Sequence, residues 1–350
     1  MSEQTTKVAE PAITQPAGHD TPQDSRLQGI LKGPAGRSLG LVIALALLIV
    51  VGGVTSGDRF LNVENMLTIL RLASIIGVIS IGMTFVITAG GIDLSVGSVM
   101  GLTSVVATMT SVQLASNQSS WLLIVVVALA VGLVAGLVNG LVIAYGNVVA
   151  FMATLAMLVG ARGLAELISG RSTQIVSNRD FLKVMRAEVL GIPFLIWIFI
   201  IVAIAGWFLL NRTTFGRRTI AIGGNLEASR LAGIKVKRHL VYLYVLAGLA
   251  AGIAGVMMLG RTTAGTSTHG LLYELDAIAA VVVGGTLLIG GRGTIMGTVL
   301  GVLIFSTLTN VFTQNNLDTS VQALAKGLII VVAVLLQQRF AGRGPRRGKS

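Results

Sequence analysis

Apolar residues dominate about ten stretches of this chain, each close to the ~20 residues that a helix needs to cross a bilayer: 38–54, 66–89, 94–114, 121–145, 148–169, 192–210, 240–260, 274–289, 294–312 and 321–336. Polar residues gather between and beyond them. The pattern predicts an all-α integral membrane protein, a polytopic bundle of about ten transmembrane helices. Residues 1–37, Pro-containing and of mixed charge, read as a disordered cytoplasmic tail. Residues 38–339 then form the transmembrane domain, and 340–350 a basic cytoplasmic tail lying on anionic lipid headgroups. The first span is expected to act as an uncleaved insertion signal.

Charge sets the orientation. Arg212, Arg217, Arg218, Arg230, Lys235, Lys237 and Arg238 crowd the polar interruption at 211–239, and the positive-inside bias makes that loop cytoplasmic. An even number of spans brings both termini to the same side. The segment 170–191, with Arg171, Arg179, Lys183 and Arg186, falls outside, either as a solvated loop or as a short helix facing a partner.

Composition narrows the picture. With 53% hydrophobic and 11% charged residues and a mean hydropathy of +0.85, a soluble domain is excluded. The 44 glycines suit helices that pack closely in lipid. The net charge of +12 sits where topology and lipid attraction need it, so no nucleic-acid partner is implied. There is no cysteine, and His19, His239 and His269 stand singly, so no disulfide or metal site is expected.

Four stretches carry candidate chemistry. In the basic loop, Gly223 and Gly224 break one segment, Asn225 caps a short helix, and Glu227 and Arg230 suit its two ends. Gly233 closes it in a left-handed turn. Leu226, Ala228 and Leu231 give this helix an apolar side too small for a core of its own, which predicts docking on another protein. At 82–102 a span stops at Gly90 and Gly91 and restarts, with Asp93 or Ser95 placed to cap. An acid at that depth is either a cap or a functional group.

Asn139, Asn147 in a tight turn, and Thr154 offer amide and hydroxyl groups to a passing solute; for Asn139, bonding between helices is the alternative. Arg162 and Glu166, four apart, predict a local pair. Glu274 and Asp276 are either solvated residues at a helix start or part of a pathway mouth or docking surface. Gly284, Gly285, Gly290 and Gly291 allow broken helices. A partial echo links Gly90, Gly91, Gly97 and Gly101 with Gly290, Gly291, Gly297 and Gly301.

Glu227, Ala228 and Ser229 followed by Gly233 resemble the EAA-x-x-x-G coupling motif of bacterial ABC importer permeases. The runs GGNLEASRLAGI (223–234), GGIDLSVGS (90–98), FMATLAML (151–158) and YELDAIAAVVVGGTLLIGGRGTIMGTVLGVLI (273–304) are similar to those of the ribose, arabinose and xylose permeases. The resemblance covers nearly the whole chain outside the N-terminal tail. It implies a multi-pass protein of the bacterial inner membrane, a second permease subunit, a separate ATPase that binds ATP and Mg, and an extracytoplasmic sugar-binding protein. No cofactor is implied in this chain itself.

By the same resemblance Gly224, Asn225, Glu227, Ala228, Arg230 and Gly233 would couple to the ATPase. Gly90, Gly91, Asp93, Ser95, Asn139, Asn147, Thr154, Glu274 and Asp276 would form the gate or pathway. The implied cargo is a monosaccharide, an aldopentose such as ribose or xylose. Permeases for hexoses, sugar alcohols, nucleosides or branched-chain amino acids share the plan, and an ion-coupled carrier using Asp93 or Glu166 is the other open reading. A phosphate-cradling G-x-x-x-x-G-K-[ST] loop is missing: the closest run, GKS at 348–350, has Arg343 where the first glycine must stand. A transport subunit rather than an enzyme is expected.

Overall fold

The computed structural model describes residues 34–341, and residues from Ser38 onward form one compact unit. Most of the two predicted tails therefore lies outside the described residues. Within them, the all-α polytopic architecture expected from the apolar runs is what the chain adopts.

Among the described residues seven helices are long and apolar enough to cross a membrane. They are α1 (Pro34–Ser56), α3 (Val63–Thr88), α6 (Leu122–Ala144), α7 (Ala150–Ser169), α9 (Phe194–Arg212), α12 (Val236–Thr262) and α14 (Ile295–Gln314). Short α2 (Asp58–Leu61) precedes α3. Between α3 and α6, α4 (Val96–Ala107) and α5 (Thr110–Gln118) are bent by 58°, so the span expected at 94–114 is broken. The small helices α8 (Arg179–Met185), α10 (Thr214–Gly224) and α11 (Leu226–Leu231) lie outside the long ones, and α15 (Thr319–Ala341) ends the described chain.

The count of ten does not survive as ten complete spans. The stretch read as 274–289 contains α13 (Tyr273–Val283), 11 residues long and so about 16 Å, half a bilayer. Gly285 at φ 90° ends that helix, and a non-helical run through Gly270 at φ 71° and Leu272 at φ 65° precedes it. The second break falls at the Gly284 and Gly285 pair that allows a broken helix, and the first follows the run of Thr, Ser and Gly before residue 271.

The core is built on α3 and α12. Along α3, Ile75, Val78, Ile79, Met83 and Phe85 are buried, and along α12 Leu243, Ala247, Ala254 and Met257. Helix α6 crosses α12 with backbones in contact. A Cβ placed on Gly136 would lie 3.0 Å from Val245 Cα, and one on Gly248 would lie 2.9 Å from Gly136 Cα. Small residues at four-residue spacing permit this approach, the packing that lipid favours.

At one end of the bundle the segment 170–191 is anchored rather than simply solvated. Asn178 caps α8 through the Phe181 amide at 3.0 Å, and Phe181 and Met185 plug into Ile124, Val256 and Leu259. The strand β1 (Gln174–Ile175) pairs with β4 (Ala264–Gly265), and β2 (Glu188–Val189) with β3 (Ile192–Pro193). Arg71, an isolated charge within a predicted span, reaches Glu188 of this cover at 3.6 Å.

Candidate functional site

Three glycine pairs, far apart in sequence, converge at the other end of the bundle, the one carrying the basic stretch. Helix α3 stops at Thr88 and the chain turns at Gly90 (φ 84°) before α4 starts. After α13 the chain turns through Gly290 (φ 84°) and Gly291 (φ 78°) before Thr294 caps α14. Helix α10 ends on Gly223 and Gly224. The Gly291 amide donates to the Thr88 carbonyl at 2.9 Å, and a Cβ on Gly223 would fall on both groups. A Cβ on Gly290 would lie 2.8 Å from the Gly223 carbonyl oxygen and 2.9 Å from the Gly90 nitrogen. Only residues without a side chain fit there. The partial echo in sequence thus marks two turns that share a left-handed first glycine, Gly90 and Gly290, each followed by a helix start.

A buried polar relay lies beside this junction. Asn139 Nδ2 donates to Ser95 Oγ at 2.9 Å, and Ser95 Oγ donates to Asp93 Oδ1 at 2.6 Å. Asp93 Oδ1 also accepts the Ser95 amide at 2.9 Å. Asp93, Ser95 and Asn139 are each 2% exposed or less. Thr154 Oγ1 reaches the Ile92 carbonyl at 3.2 Å, and the Tyr244 hydroxyl faces Gly91 closely enough that a Cβ there would sit 2.6 Å from it. Four of the predicted pathway side chains are therefore assembled around one break.

The expected capping is corrected. Ser95 occupies the N-cap position of α4 without a side-chain cap bond, because its hydroxyl is committed to Asp93. Asp93 instead closes a local turn onto the Ser95 amide, the habit of a short acceptor side chain next to its own backbone. Asn147 adopts φ 53° in the turn between α6 and α7, as its place in a tight turn required, but it is exposed and stands apart from the relay.

Glu274 and Asp276 are not solvated residues at a helix start. Glu274 is 8% exposed, with its carboxylate against Gly97, where any Cβ would strike it. Asp276 pairs with Lys326 of α15 at 3.2 Å. The Arg162–Glu166 pair is absent as well. Glu166 bonds Arg171 at 3.0 Å, whereas Arg162 Nη1 donates to the carbonyls of Ser267 and His269. Those carbonyls are free to accept because the run before α13 is non-helical, so Arg162 pins an irregular segment into the bundle. Among the described residues this re-entrant run, with His269 Nδ1 3.1 Å from Ser104 Oγ, is the part that the sequence reading missed. Its signal was the run of Thr, Ser and Gly at 262–270.

The basic loop folds as α10 and α11. Asn225 Oδ1 accepts the Ala228 amide at 2.9 Å. Gly233, at φ 81°, follows the last turn, with Gly233 N donating to Arg230 O at 3.0 Å and Ile234 N to Ser229 O at 3.0 Å. This is the paired C-terminal closure that favours glycine. Glu227 and Arg230 form an exposed pair at 3.6 Å, and Leu226 (44%) and Leu231 (88%) present apolar surface to the outside.

Broken helices around a buried polar relay, inside a bundle of long apolar helices, define a polytopic membrane permease. The family described as branched-chain amino acid transport system / permease component matches residues 65–335, and the chain belongs to it. It is 42% identical to the ribose import permease protein RbsC of Haemophilus influenzae over 298 residues, covering 84% of this chain and 90% of that one. To RbsC of Bacillus subtilis it is 40% identical over 305 residues, covering 87% and 93%. To the L-arabinose transport system permease protein AraH of Escherichia coli it is 36% identical over 303 residues, covering 85% and 90%. No solved structure matches.

Proposed function

We propose that this chain is the membrane-spanning subunit of an ATP-driven importer that translocates a monosaccharide delivered by an extracytoplasmic binding protein. An aldopentose, ribose before xylose, is the favoured cargo, in keeping with the relatives named above. The basic end faces the cytoplasm of a bacterial inner membrane, both termini lie on that side, and a partner ATPase carries ATP and Mg. Two permease subunits enclose the path.

One observation carries the mechanism: Gly223, the end of α10, rests directly on Thr88 and Gly291. When the ATPase closes, it displaces α11, and Gly223 passes that displacement to both glycine turns. The break between α3 and α4 and the turn before α14 then shift together, which exchanges the open gate. In this structure Asp93, Ser95 and Asn139 bond to one another, as Thr154 does to the neighbouring backbone. Shifting the break frees their hydroxyl, amide and carboxylate groups for sugar hydroxyls. Few polar groups suffice, because affinity resides in the binding protein.

The docking role of α11 is tested by Gly233→Val. A Cβ at Gly233 meets nothing within 4 Å, so the penalty is conformational, about 1–2 kcal/mol for a left-handed non-glycine residue and higher for a β-branched one. The variant is expected to insert normally, lose capture of the ATPase in mild detergent, and lose uptake. Gly233→Asn, which tolerates that conformation, should restore both. Undiminished ATPase capture by the valine variant would sink the docking role.

A further inference from the structure

A cleft of about 480 Å³ opens between the first turns of α10 and α12, beside the linker that follows α11. Arg218, Lys235 and Arg238 line it together with Phe215, Ile234 and Tyr242. The three basic side chains belong to exposed residues. None of them has a carboxylate within 4.0 Å among the described residues. A concave site holding three cations and no acid is built for an anion from outside the chain.

Its depth identifies the anion. Arg238 Nε donates to the Tyr242 hydroxyl at 2.7 Å, with its guanidinium 5.6 Å from that ring's centroid. Tyr242 lies one turn further into the span, so Arg238 is held down along α12 rather than extended into water. Two further cations at this end do the same: Arg212 lies over Trp207 at 5.4 Å and Lys237 over Tyr145 at 5.7 Å. Tyr and Trp beside basic residues at span ends mark the headgroup level of a bilayer. A cleft there, lined by both basic and apolar side chains, matches a phosphodiester with the first carbons of its acyl chains.

We propose that this cleft binds the phosphate of an anionic phospholipid through Arg218, Lys235 and Arg238, bracing the coupling helix against the membrane helices. The phosphate bridges Arg218 on α10 to Arg238 on α12, across the linker 233–235 through which α11 is attached. The bracing role rests on the importer reading, but the binding does not.

The test is a titration of the purified chain, in mild detergent and without ATPase or sugar, read by native mass spectrometry. The probes are dioctanoyl phosphatidylglycerol, dioctanoyl phosphatidylcholine, glycerol 1-phosphate and inorganic phosphate. One phosphatidylglycerol per chain is expected to bind saturably, with the other three at least roughly tenfold weaker. The double variant Arg218→Gln/Arg238→Gln should bind it roughly 30-fold more weakly, the loss of two basic residues at a lipid surface, and Arg218→Lys/Arg238→Lys should retain most of the affinity. Equal binding of phosphatidylcholine, or undiminished binding in the glutamine pair, overturns the site. Inorganic phosphate binding as tightly as the lipid assigns the cleft to a soluble anion instead. If the glutamine pair keeps the lipid but fails to capture the ATPase, the cleft belongs to that protein. Should the importer reading fail, the titration still stands or falls by itself.

Discussion

Gly223→Ala is expected to abolish coupled uptake, whereas Gly224→Ala, one residue on, keeps the fold and at least half of the uptake. A methyl group on Gly223 strikes the Thr88 carbonyl and the Gly291 amide, both backbone and already bonded to each other at 2.9 Å. Nothing there is the flexible end of a side chain, so α10 has to move away from both turns. Overpacking of this kind costs about 1–3 kcal/mol, and it separates the basic loop from the break it is proposed to drive. A Cβ on Gly224 meets nothing within 4 Å, and alanine is the better helix former. Thermal melting in detergent and uptake in vesicles check the pair. Equal behaviour of the two variants would remove the junction from the mechanism.

The second large effect is expected at Asp93. Both of its hydrogen bonds run to one oxygen, Oδ1, from the Ser95 amide and the Ser95 hydroxyl. Asp93→Ala leaves the amide buried without an acceptor and forces the hydroxyl to turn elsewhere, at about 1–3 kcal/mol for each unsatisfied group. Because Ser95 also holds Asn139, the loss spreads to α6. Asp93→Asn keeps an oxygen at the same place and exchanges charge-assisted bonds for neutral ones, a difference of about 1 kcal/mol. The alanine variant should therefore melt well below the asparagine variant in detergent. Uptake by Asp93→Asn then separates the two roles: full activity leaves Asp93 as the lock of a turn, and a loss of tenfold or more gives its charge a part in gating.

Much of this architecture was legible because a bilayer allows so few solutions. The long apolar runs returned as helices, and the small helix at 226–231 was readable because Asn225 and Gly233 are chemically specific stops. The bounds of the half-helix at 273–283 were not legible. Gly284 and Gly285 allowed a break, but the apolar residues on both sides of them, 277–283 and 287–289, read as one span, and only positive φ values at Gly270, Leu272 and Gly285 show where the chain leaves the helix. Arg162 misled for a related reason. Spacing along one helix pairs it with Glu166, but the carbonyls of Ser267 and His269 compete for it, and only the fold brings them near. Assembly of Asp93, Ser95, Asn139 and Thr154 likewise depends on three helices whose mutual placement no single stretch encodes. The burial of Glu274 required knowing that Gly97 leaves room for its carboxylate.

Uptake of radiolabelled D-ribose tests the central claim most directly. The chain would be reconstituted in proteoliposomes with the ATPase it captures, in the orientation that puts the ATPase and ATP inside and the binding protein outside. The account predicts accumulation that needs internal ATP and the binding protein, persists when proton and sodium gradients are dissipated, and is lost in Gly223→Ala. Accumulation driven by an ion gradient in vesicles holding this chain alone would contradict it.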